Sequence, residues 1–334
     1  MPLHVTNIKG TFADGRESEG FYMDGYLCAN LLGIPAYLKK KWDVVCIVSG
    51  HGKVRVGKST MAFQTASFIA WLLAGGRIKM EIVKNEYGKT GWKVNKVKQP
   101  TRPMKFSLKD NVVFSALDLK KTAVHLFETL GPNQPIIYDE AREGLEGARA
   151  MENLNKVMQD FFQECGYMGH IIILVLPNYF KLHEDYSVSR SLFLIDTYHD
   201  KRKRRGFFNF YNETDKEWLY FLGKKKIGIS QKYRSARPSF FGRFTSWFPF
   251  DRKEYEDMKS EALKKRAKTK REKQYQEQRN ALIYVLKRDY RVTFEKMVVL
   301  IEKLVNERVN VDTIARGYDI VEKKLKNIDD SSDD

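Results

Sequence analysis

The stretch "SGHGKVRVGKST" (49–60) lies between two apolar segments and decides the fold. Before it comes "DVVCIV" (43–48), a β-branched run typical of a strand buried on both faces. After it comes "MAFQTASFIAWLLAG" (61–75), which predicts a buried helix that ends at the glycine pair following Ala74. The sequence therefore predicts a strand–loop–helix unit whose loop carries three glycines and four basic or imidazole side chains.

This loop matches a phosphate-binding pattern. Its segment "GKVRVGKS" (52–59) fits G-x-x-x-x-G-K-[ST], in which glycines let successive backbone N–H groups point at phosphate oxygens. The helix that follows adds the positive end of its dipole. In such a loop Lys58 reaches the β- and γ-phosphates, Ser59 ligates Mg²⁺ and Thr60 helps to position the α-phosphate. The residues that we expect to contact a nucleoside triphosphate are Gly52, Gly57, Lys58, Ser59 and Thr60.

An acid pair supplies the second half of such a site. "PIIYDEA" (135–141) is an apolar strand that ends in Asp139 and Glu140. We expect Asp139 to hold the magnesium through water, and Glu140 to orient or deprotonate the attacking water. A glutamate at this position favours hydrolysis of the nucleotide over transfer of phosphate to a substrate.

Two more polar residues are candidates for the same chemistry. Asn178 closes the apolar run "HIIILVLPN" (170–178), where it is placed to sense the γ-phosphate or hold the lytic water; an N-cap of the next segment is the alternative. Arg190 precedes the last core strand and is a candidate to stabilise transition-state charge in a neighbouring subunit's site. A surface arginine is the alternative there, and Arg142 is the rival for the catalytic role.

The order of the apolar runs predicts an α/β fold. Strands alternate with helices at a spacing that specifies a doubly wound, mainly parallel sheet with right-handed crossovers. We expect a helix in "DLKKTAVHLFETLG" (118–131), capped by Asp118, and another in 147–169. The predicted core strands are "DVVCIVSG", "NVVFSA", "PIIYDEA", "HIIILVLPN" and "SLFLIDTYH".

Composition divides the chain into several regions. A β-hairpin is predicted at 77–110, and three amphipathic helices with breaks between them are predicted near the C-terminus. The runs "RRGFFNFYN" (204–212) and "EWLYFLGKKKIGISQKY" (217–233) predict strands of an antiparallel extension. The predicted regions are an N-terminal lead-in (1–42), a core (43–250) with the hairpin insertion (77–110) and an antiparallel extension and aromatic connector (201–250), a basic helical linker (251–280), a small helical domain (281–328) and an acidic tail (329–334).

The charge balance points to a polyanionic partner. The formal net charge is +17, and basic residues concentrate in "KRKRR" (201–205), "GKKK" (223–226) and "KKRAKTKREK" (264–273). Such runs grip nucleic-acid phosphates without reading sequence. In the connector, arginines interleave with aromatic side chains as on single-strand stacking surfaces, although packing on the core explains the aromatic residues equally well. These residues are Tyr233, Arg234, Arg237, Phe240, Phe241, Arg243 and Phe244. The last two helices suit either a groove-reading pair or subunit contacts.

Cysteine usage and hydropathy bear on location. The three cysteines form no CxxC pair, so we expect neither a disulfide framework nor a zinc site. No basic-then-apolar leader is present at the start of the sequence, and the apolar run 61–75 is shorter than the roughly 20 residues that a bilayer demands. We expect a cytoplasmic or otherwise intracellular protein without a transmembrane segment.

Taken with these motifs, residues 43–200 resemble the additional-strand catalytic-Glu division of P-loop ATPases, which is RecA-like. The part from "IIYDEA" to "RSLFLI" is similar to FtsK–HerA motors and to the related zonular-occludens-toxin-like and genome-packaging ATPases of phages and plasmids. The resemblance implies ATP as the nucleotide and a ring, often a hexamer, that pulls DNA through its centre. It implies functional roles for Lys58, Ser59, Asp139, Glu140, Asn178 and Arg190.

Two functions are compatible with these features. The first is an ATP-hydrolysing motor that translocates or packages nucleic acid, with DNA as the expected substrate. The second is an ATP-dependent switch or scaffold whose basic face meets anionic membrane or a partner protein. Glu140 and the basic clusters favour the motor.

Overall fold

The computed structural model of the chain describes residues 7–40, 44–50, 55–84, 88, 90–139, 159, 161, 166–225, 233, 235–305 and 309–329. The strands in this part of the chain are β1 (Lys9–Thr11), β2 (Glu17–Glu19), β3 (Val44–Ser49), β4 (Arg77–Lys84), β5 (Thr90–Lys98), β6 (Val112–Val113), β7 (Pro135–Tyr138), β8 (Ile171–Val175), β9 (Ser191–Tyr198), β10 (Phe207–Tyr211) and β11 (Phe240–Arg243). The α-helices are α1 (Gly25–Leu31), α2 (Ile34–Lys39), α3 (Lys58–Leu73), α4 (Leu108–Asn111), α5 (Ala116–Leu130), α6 (Glu213–Lys225), α7 (Arg252–Arg288), α8 (Phe294–Val305) and α9 (Val311–Asp329).

A seven-stranded, mostly parallel sheet flanked by helices forms the centre of the fold. Its strand order is β11-β10-β9-β3-β8-β7-β6, and the five strands from β9 to β6 run parallel. The strands β10 and β11 extend the β9 edge in antiparallel pairing. The predicted α/β class and the mainly parallel sheet are confirmed.

The strand β3 lies at the centre of this sheet because its side chains are apolar on both faces. All six of its residues are buried between β9 and β8. The helix α3 follows it and is also apolar all round, with every residue from Met61 to Leu72 buried. It packs on β3, β7 and β8, and its first residues follow the carboxyl end of β3 in the chain.

The region after β10 differs from the predicted antiparallel extension. "EWLYFLGKK" lies in the helix α6, so its interpretation as a strand was wrong. Its buried side chains Lys216, Leu219 and Tyr220 recur at helical spacing, and the Asn212 side chain accepts the Asp215 N–H at the helix start. The connector is also more regular than predicted, because it contributes β11 to the sheet.

Two local predictions had different outcomes. The hairpin insertion is confirmed, because β4 and β5 pair in antiparallel fashion as a separate two-stranded sheet. The cap predicted at Asp118 was wrong. Ser115 caps α5: its hydroxyl accepts the Asp118 N–H at 3.2 Å and donates to the Asp118 carboxylate at 2.6 Å. The helix predicted at 147–169 lies almost entirely outside the described residues; 166–168 form a short 3₁₀ turn.

The N-terminal lead-in is tied to the connector rather than set apart from the core. Thr11 pairs with Phe248, and the Phe21 ring stacks on Trp247 with ring centroids 4.2 Å apart. The Gln64 side chain of α3 donates to the Thr245 and Trp247 carbonyls, at 2.9 Å each. These contacts fix the connector against the helix that follows the phosphate loop.

The chain divides into two compact units after Asp257, a position within the predicted linker (251–280). The predicted linker and the first predicted C-terminal helix form one continuous helix, α7, because no helix-breaking residue interrupts 252–288. In the second unit Ile283, Met297 and Ile314 form a small apolar core. Among the described residues, no helix is both long and apolar enough to cross a membrane.

Candidate nucleotide site

The predicted phosphate loop, residues 52–59, leads directly into α3. Gly57 has a φ of 95°, a left-handed conformation that favours glycine, and Lys58 and Ser59 open the helix immediately after it. A Cβ added to Gly50 would lie 2.9 Å from Lys58 Cδ and 2.5 Å from Val56 Cγ2. The stem of Lys58 therefore folds back over the end of β3. Close packing requires a glycine at position 50, and the backbone conformation favours one at position 57.

Asp139 follows β7 and lies at the same edge of the sheet. Its N–H donates to the Val113 carbonyl at 2.9 Å, and only 1% of its surface is exposed. The position follows from the sequence, because the carboxyl ends of parallel strands share one edge of the sheet. The structure thus places Asp139 and the start of α3 on one side of the core.

The predicted metal ligands Ser59 and Asp139 are joined by Tyr255, a residue that the sequence did not identify. The Tyr255 hydroxyl donates to Asp139 Oδ2. The Ser59 side chain lies close enough to the same phenol to lower its pKa. A serine hydroxyl and a carboxylate that both reach one oxygen atom are the kind of donor set that Mg²⁺ shares with nucleotide phosphates. The residues present therefore fit the predicted metal.

Aromatic packing holds Tyr255 in this position. The Tyr255 ring lies 5.3 Å from Phe63, 5.4 Å from Phe248 and 6.1 Å from Phe114, measured between ring centroids. Burial raises the pKa of Tyr255, and the charge of Asp139 raises it further. The phenol consequently stays protonated at neutral pH and acts as a donor to the carboxylate.

Asn178 lies near the same edge and caps the turn that follows β8. Its Oδ1 accepts the Phe180 N–H at 3.0 Å, so the capping role considered as an alternative is present. The Tyr233 hydroxyl lies 3.5 Å from the same Oδ1 and accepts the Tyr179 N–H at 2.7 Å. The Ser49 side chain lies close enough to this hydroxyl to lower the pKa of Tyr233. Through Tyr233, Asn178 is connected to the last residue of β3.

Asp196 is a second residue that the sequence analysis missed. It pairs in register with Ser49 and accepts the Ser49 hydroxyl at 2.8 Å, with both residues fully buried. Thr197 Oγ1 donates to the Ser49 carbonyl at 2.9 Å. An acid inside the apolar run "LFLIDTY" is the same signal that identified Asp139, so the sequence contained the information. This polar cluster supports the backbone from which the phosphate loop departs.

Arg190 is not brought to this edge. It is exposed and comes just before β9, whose Ser191 is in register with Val45 near the start of β3. Arg190 comes six positions before Asp196, the partner of Ser49, so its backbone lies roughly 20 Å along the strand direction from the level of Ser49. Within one chain Arg190 is therefore at the edge opposite the phosphate loop.

A buried lysine fixes the backbone around Arg190. The Lys216 amine donates to the Val188 carbonyl at 2.6 Å, to Ser191 Oγ at 2.8 Å and to the Ser191 carbonyl. Burial lowers the pKa of Lys216 to about 8. The two carbonyls flank Arg190, so the lysine holds the turn that presents it.

The remaining predicted site residues have different placements. Thr60 lies in the first turn of α3, beside Ser59. The residues Gly52, Glu140 and Arg142 lie outside the described part of the chain.

The connector serves mainly as packing. Tyr233 is buried, Phe240 stacks on Phe210 at 4.5 Å between centroids, and the Phe244 ring lies against Gly57. Phe241, by contrast, is 73% exposed, and Arg237 is exposed. The core-packing alternative therefore applies to most of these aromatic residues.

Comparison with known proteins adds no relative to these observations. A scan against protein-family models and a search of curated proteins found no match to this chain.

Proposed function

We propose that this chain is an ATP-hydrolysing motor that moves or packages nucleic acid, with DNA as the expected substrate, and that it works as an oligomeric ring. One observation carries the ATPase part of the proposal. The Tyr255 phenol donates to Asp139, after β7, and lies close enough to Ser59, at the start of α3, for the serine to lower its pKa. The two halves of the predicted nucleotide site thus lie within reach of a single ligand.

Each residue has a defined role in this proposal. The loop N–H groups and Lys58 hold the triphosphate, while Ser59 and Asp139 hold Mg²⁺, which when bound neutralises developing phosphate charge. Glu140 orients the attacking water and accepts its proton. The strand order supports the assignment, because β8 lies between β3 and β7 as a counterpart of the additional strand that names the division.

The position of Arg190 supports a site shared between subunits. Because its backbone precedes β9 and lies roughly 20 Å along the strand direction from the edge that carries the predicted phosphate loop, we assign its guanidinium to the nucleotide of a neighbouring subunit. Arginine suits such a role, since its planar, permanently charged group can contact two phosphate oxygens at once. A site shared between subunits requires an oligomer. In a closed ring, every subunit has a neighbour that can supply Arg190 to its site.

The charge of the chain supports a nucleic-acid substrate. The net charge is +17, and the basic residues 201–205 between β9 and β10 are exposed. Contacts of this type bind the phosphate backbone and weaken steeply with salt.

The test is ATP hydrolysis by the full chain, measured with and without DNA over a series of salt concentrations. We expect DNA to stimulate hydrolysis, and we expect the stimulation to fade as salt rises. Lys58→Ala, which removes the charge that contacts the phosphates, serves as the inactive control. Hydrolysis that is indifferent to DNA at every salt concentration would contradict the motor and favour a switch that acts on an anionic membrane or a protein.

A further inference from the structure

A cleft of ≈ 490 Å³ lies beside the phosphate loop, on the side where β10 and β11 extend the sheet. Its lining combines two kinds of side chain, arginines and aromatic rings. The residues that matter for what it binds are Tyr22, Arg204, Arg205, Phe207, Arg243 and Phe244. The volume lies within the usual range for small-molecule sites, which is roughly 300–1,000 Å³.

Phe244 connects the cleft to the phosphate loop. A Cβ added to Gly57 would lie 2.8 Å from the Phe244 ring, so the ring contacts the residue that precedes Lys58. The Phe244 N–H donates to the Gly206 carbonyl at 2.9 Å, which fixes this segment against the start of β10. A molecule whose phosphates lie on the loop therefore has the cleft next to it.

The arginines are held in fixed positions. The Arg204 guanidinium makes a two-pronged contact with Asp200, with N–O distances of 2.7 Å. The Arg243 guanidinium lies 5.2 Å from the centre of the Phe207 ring. A guanidinium stacked on a ring keeps its N–H groups directed sideways, where they can donate to a ligand.

We propose that this cleft binds the base and sugar of the nucleotide whose phosphates lie on the loop, an assignment that rests on the proposed function. The aromatic rings supply stacking area, and the guanidinium groups donate to the ring-nitrogen acceptors of adenine. A single-stranded nucleic acid has the same chemical groups. The mononucleotide is favoured because Phe244, which lines the cleft, contacts Gly57.

The experiment compares two ligands on the full chain. Dissociation constants for Mg²⁺–ATP and for Mg²⁺–tripolyphosphate, which lacks base and sugar, are measured by calorimetry on the wild type, Arg243→Gln and Arg205→Gln. Arg237→Gln is the matched control, because it loses the same charge from an exposed residue that does not line the cleft. Thermal melting confirms that each variant is folded.

We expect Arg243→Gln to weaken ATP binding by about tenfold, the loss of one good polar contact, and to leave tripolyphosphate binding within about twofold of wild type. Arg205→Gln changes ATP binding in the same direction, and Arg237→Gln changes neither ligand. Unchanged ATP affinity in both cleft variants, or an equal loss for the two ligands, would overturn the proposal. Single-stranded oligothymidylate is titrated in the same way, and a loss of affinity for it alone overturns the proposal and assigns the cleft to nucleic acid. A wild type that binds neither phosphate ligand overturns the proposed function itself.

Discussion

Replacing Tyr255 with phenylalanine removes one hydroxyl group from the contact that joins Ser59 and Asp139. The aromatic ring, which Phe63, Phe114 and Phe248 surround, keeps its packing. Under the proposed function, magnesium binds the Ser59 hydroxyl and, through water, the Asp139 carboxylate, where the phenol now lies. The Tyr255–Asp139 hydrogen bond must then be given up when the site is loaded.

The size of the effect follows from that hydrogen bond. A hydrogen bond to a charged group contributes about 1.5–3 kcal/mol, and 1.4 kcal/mol corresponds to about tenfold in affinity. Tyr255→Phe should therefore tighten binding of the magnesium–nucleotide complex by about 10- to 100-fold. Without ligand the variant should unfold more easily, by about 1–3 kcal/mol, because the buried Asp139 carboxylate loses a donor.

The assay pairs calorimetric binding of a non-hydrolysable ATP analogue, at saturating Mg²⁺, with urea denaturation of the ligand-free chain. Tyr284→Phe is the matched control, since Tyr284 is on the same helix and its hydroxyl accepts a hydrogen bond from Arg288 at 2.7 Å. We expect no change of nucleotide affinity in this control. Weaker or unchanged binding in Tyr255→Phe, with the expected loss of stability, would refute the reasoning, because the phenol would then not compete with the ligand.

Three further predictions concern single residues. Glu140→Gln should bind ATP with wild-type affinity yet fail to hydrolyse it, whereas Lys58→Ala should fail to bind ATP. Filter binding measures the affinity and phosphate release measures the hydrolysis. Full turnover by Glu140→Gln would rule out Glu140 as the residue that activates water. Arg190→Ala should be inactive alone but regain some ATPase activity when mixed with Lys58→Ala subunits, and no recovery in the mixture would argue against a shared site. The pKa of Lys216, about 8 in the folded chain and about 10.4 unfolded, means that the unfolded state binds more protons between these values. The Lys216 contribution to the free energy of unfolding should thus rise from pH 8 to pH 10, and Lys216→Met should lose this rise in urea titrations; a slope equal to that of wild type would contradict the assignment.

The sequence predicted the central strands of the sheet, and the edge at which Ser59 and Asp139 lie, for the same reason. Runs such as "VVCIVS" and "IIILV" are apolar on both faces, so they specify buried parallel strands wherever they occur. Ser59 and Asp139 then follow, because polar residues at the ends of such strands meet at one edge.

The sequence did not reveal features that depend on distant contacts. Tyr255 is 116 positions from Asp139 in the sequence, and its packing against Phe63, Phe114 and Phe248 brings it to Asp139. The helix α6 was taken for a strand because "WLYFL" has the composition of a strand, whereas its buried residues have a helical period. Ser115 was missed as a cap because Asp118, three residues later, is an equally good capping residue by type.

The central claim is that a nucleotide and its magnesium are held between the start of α3 and the end of β7. The most direct measurement is a crystal structure of the full chain with Mg²⁺ and a non-hydrolysable ATP analogue. The account predicts the metal on the Ser59 hydroxyl and one water away from Asp139, with the Tyr255 phenol no longer bonded to Asp139. Nucleotide bound elsewhere, or a metal that contacts neither side chain, would contradict the account.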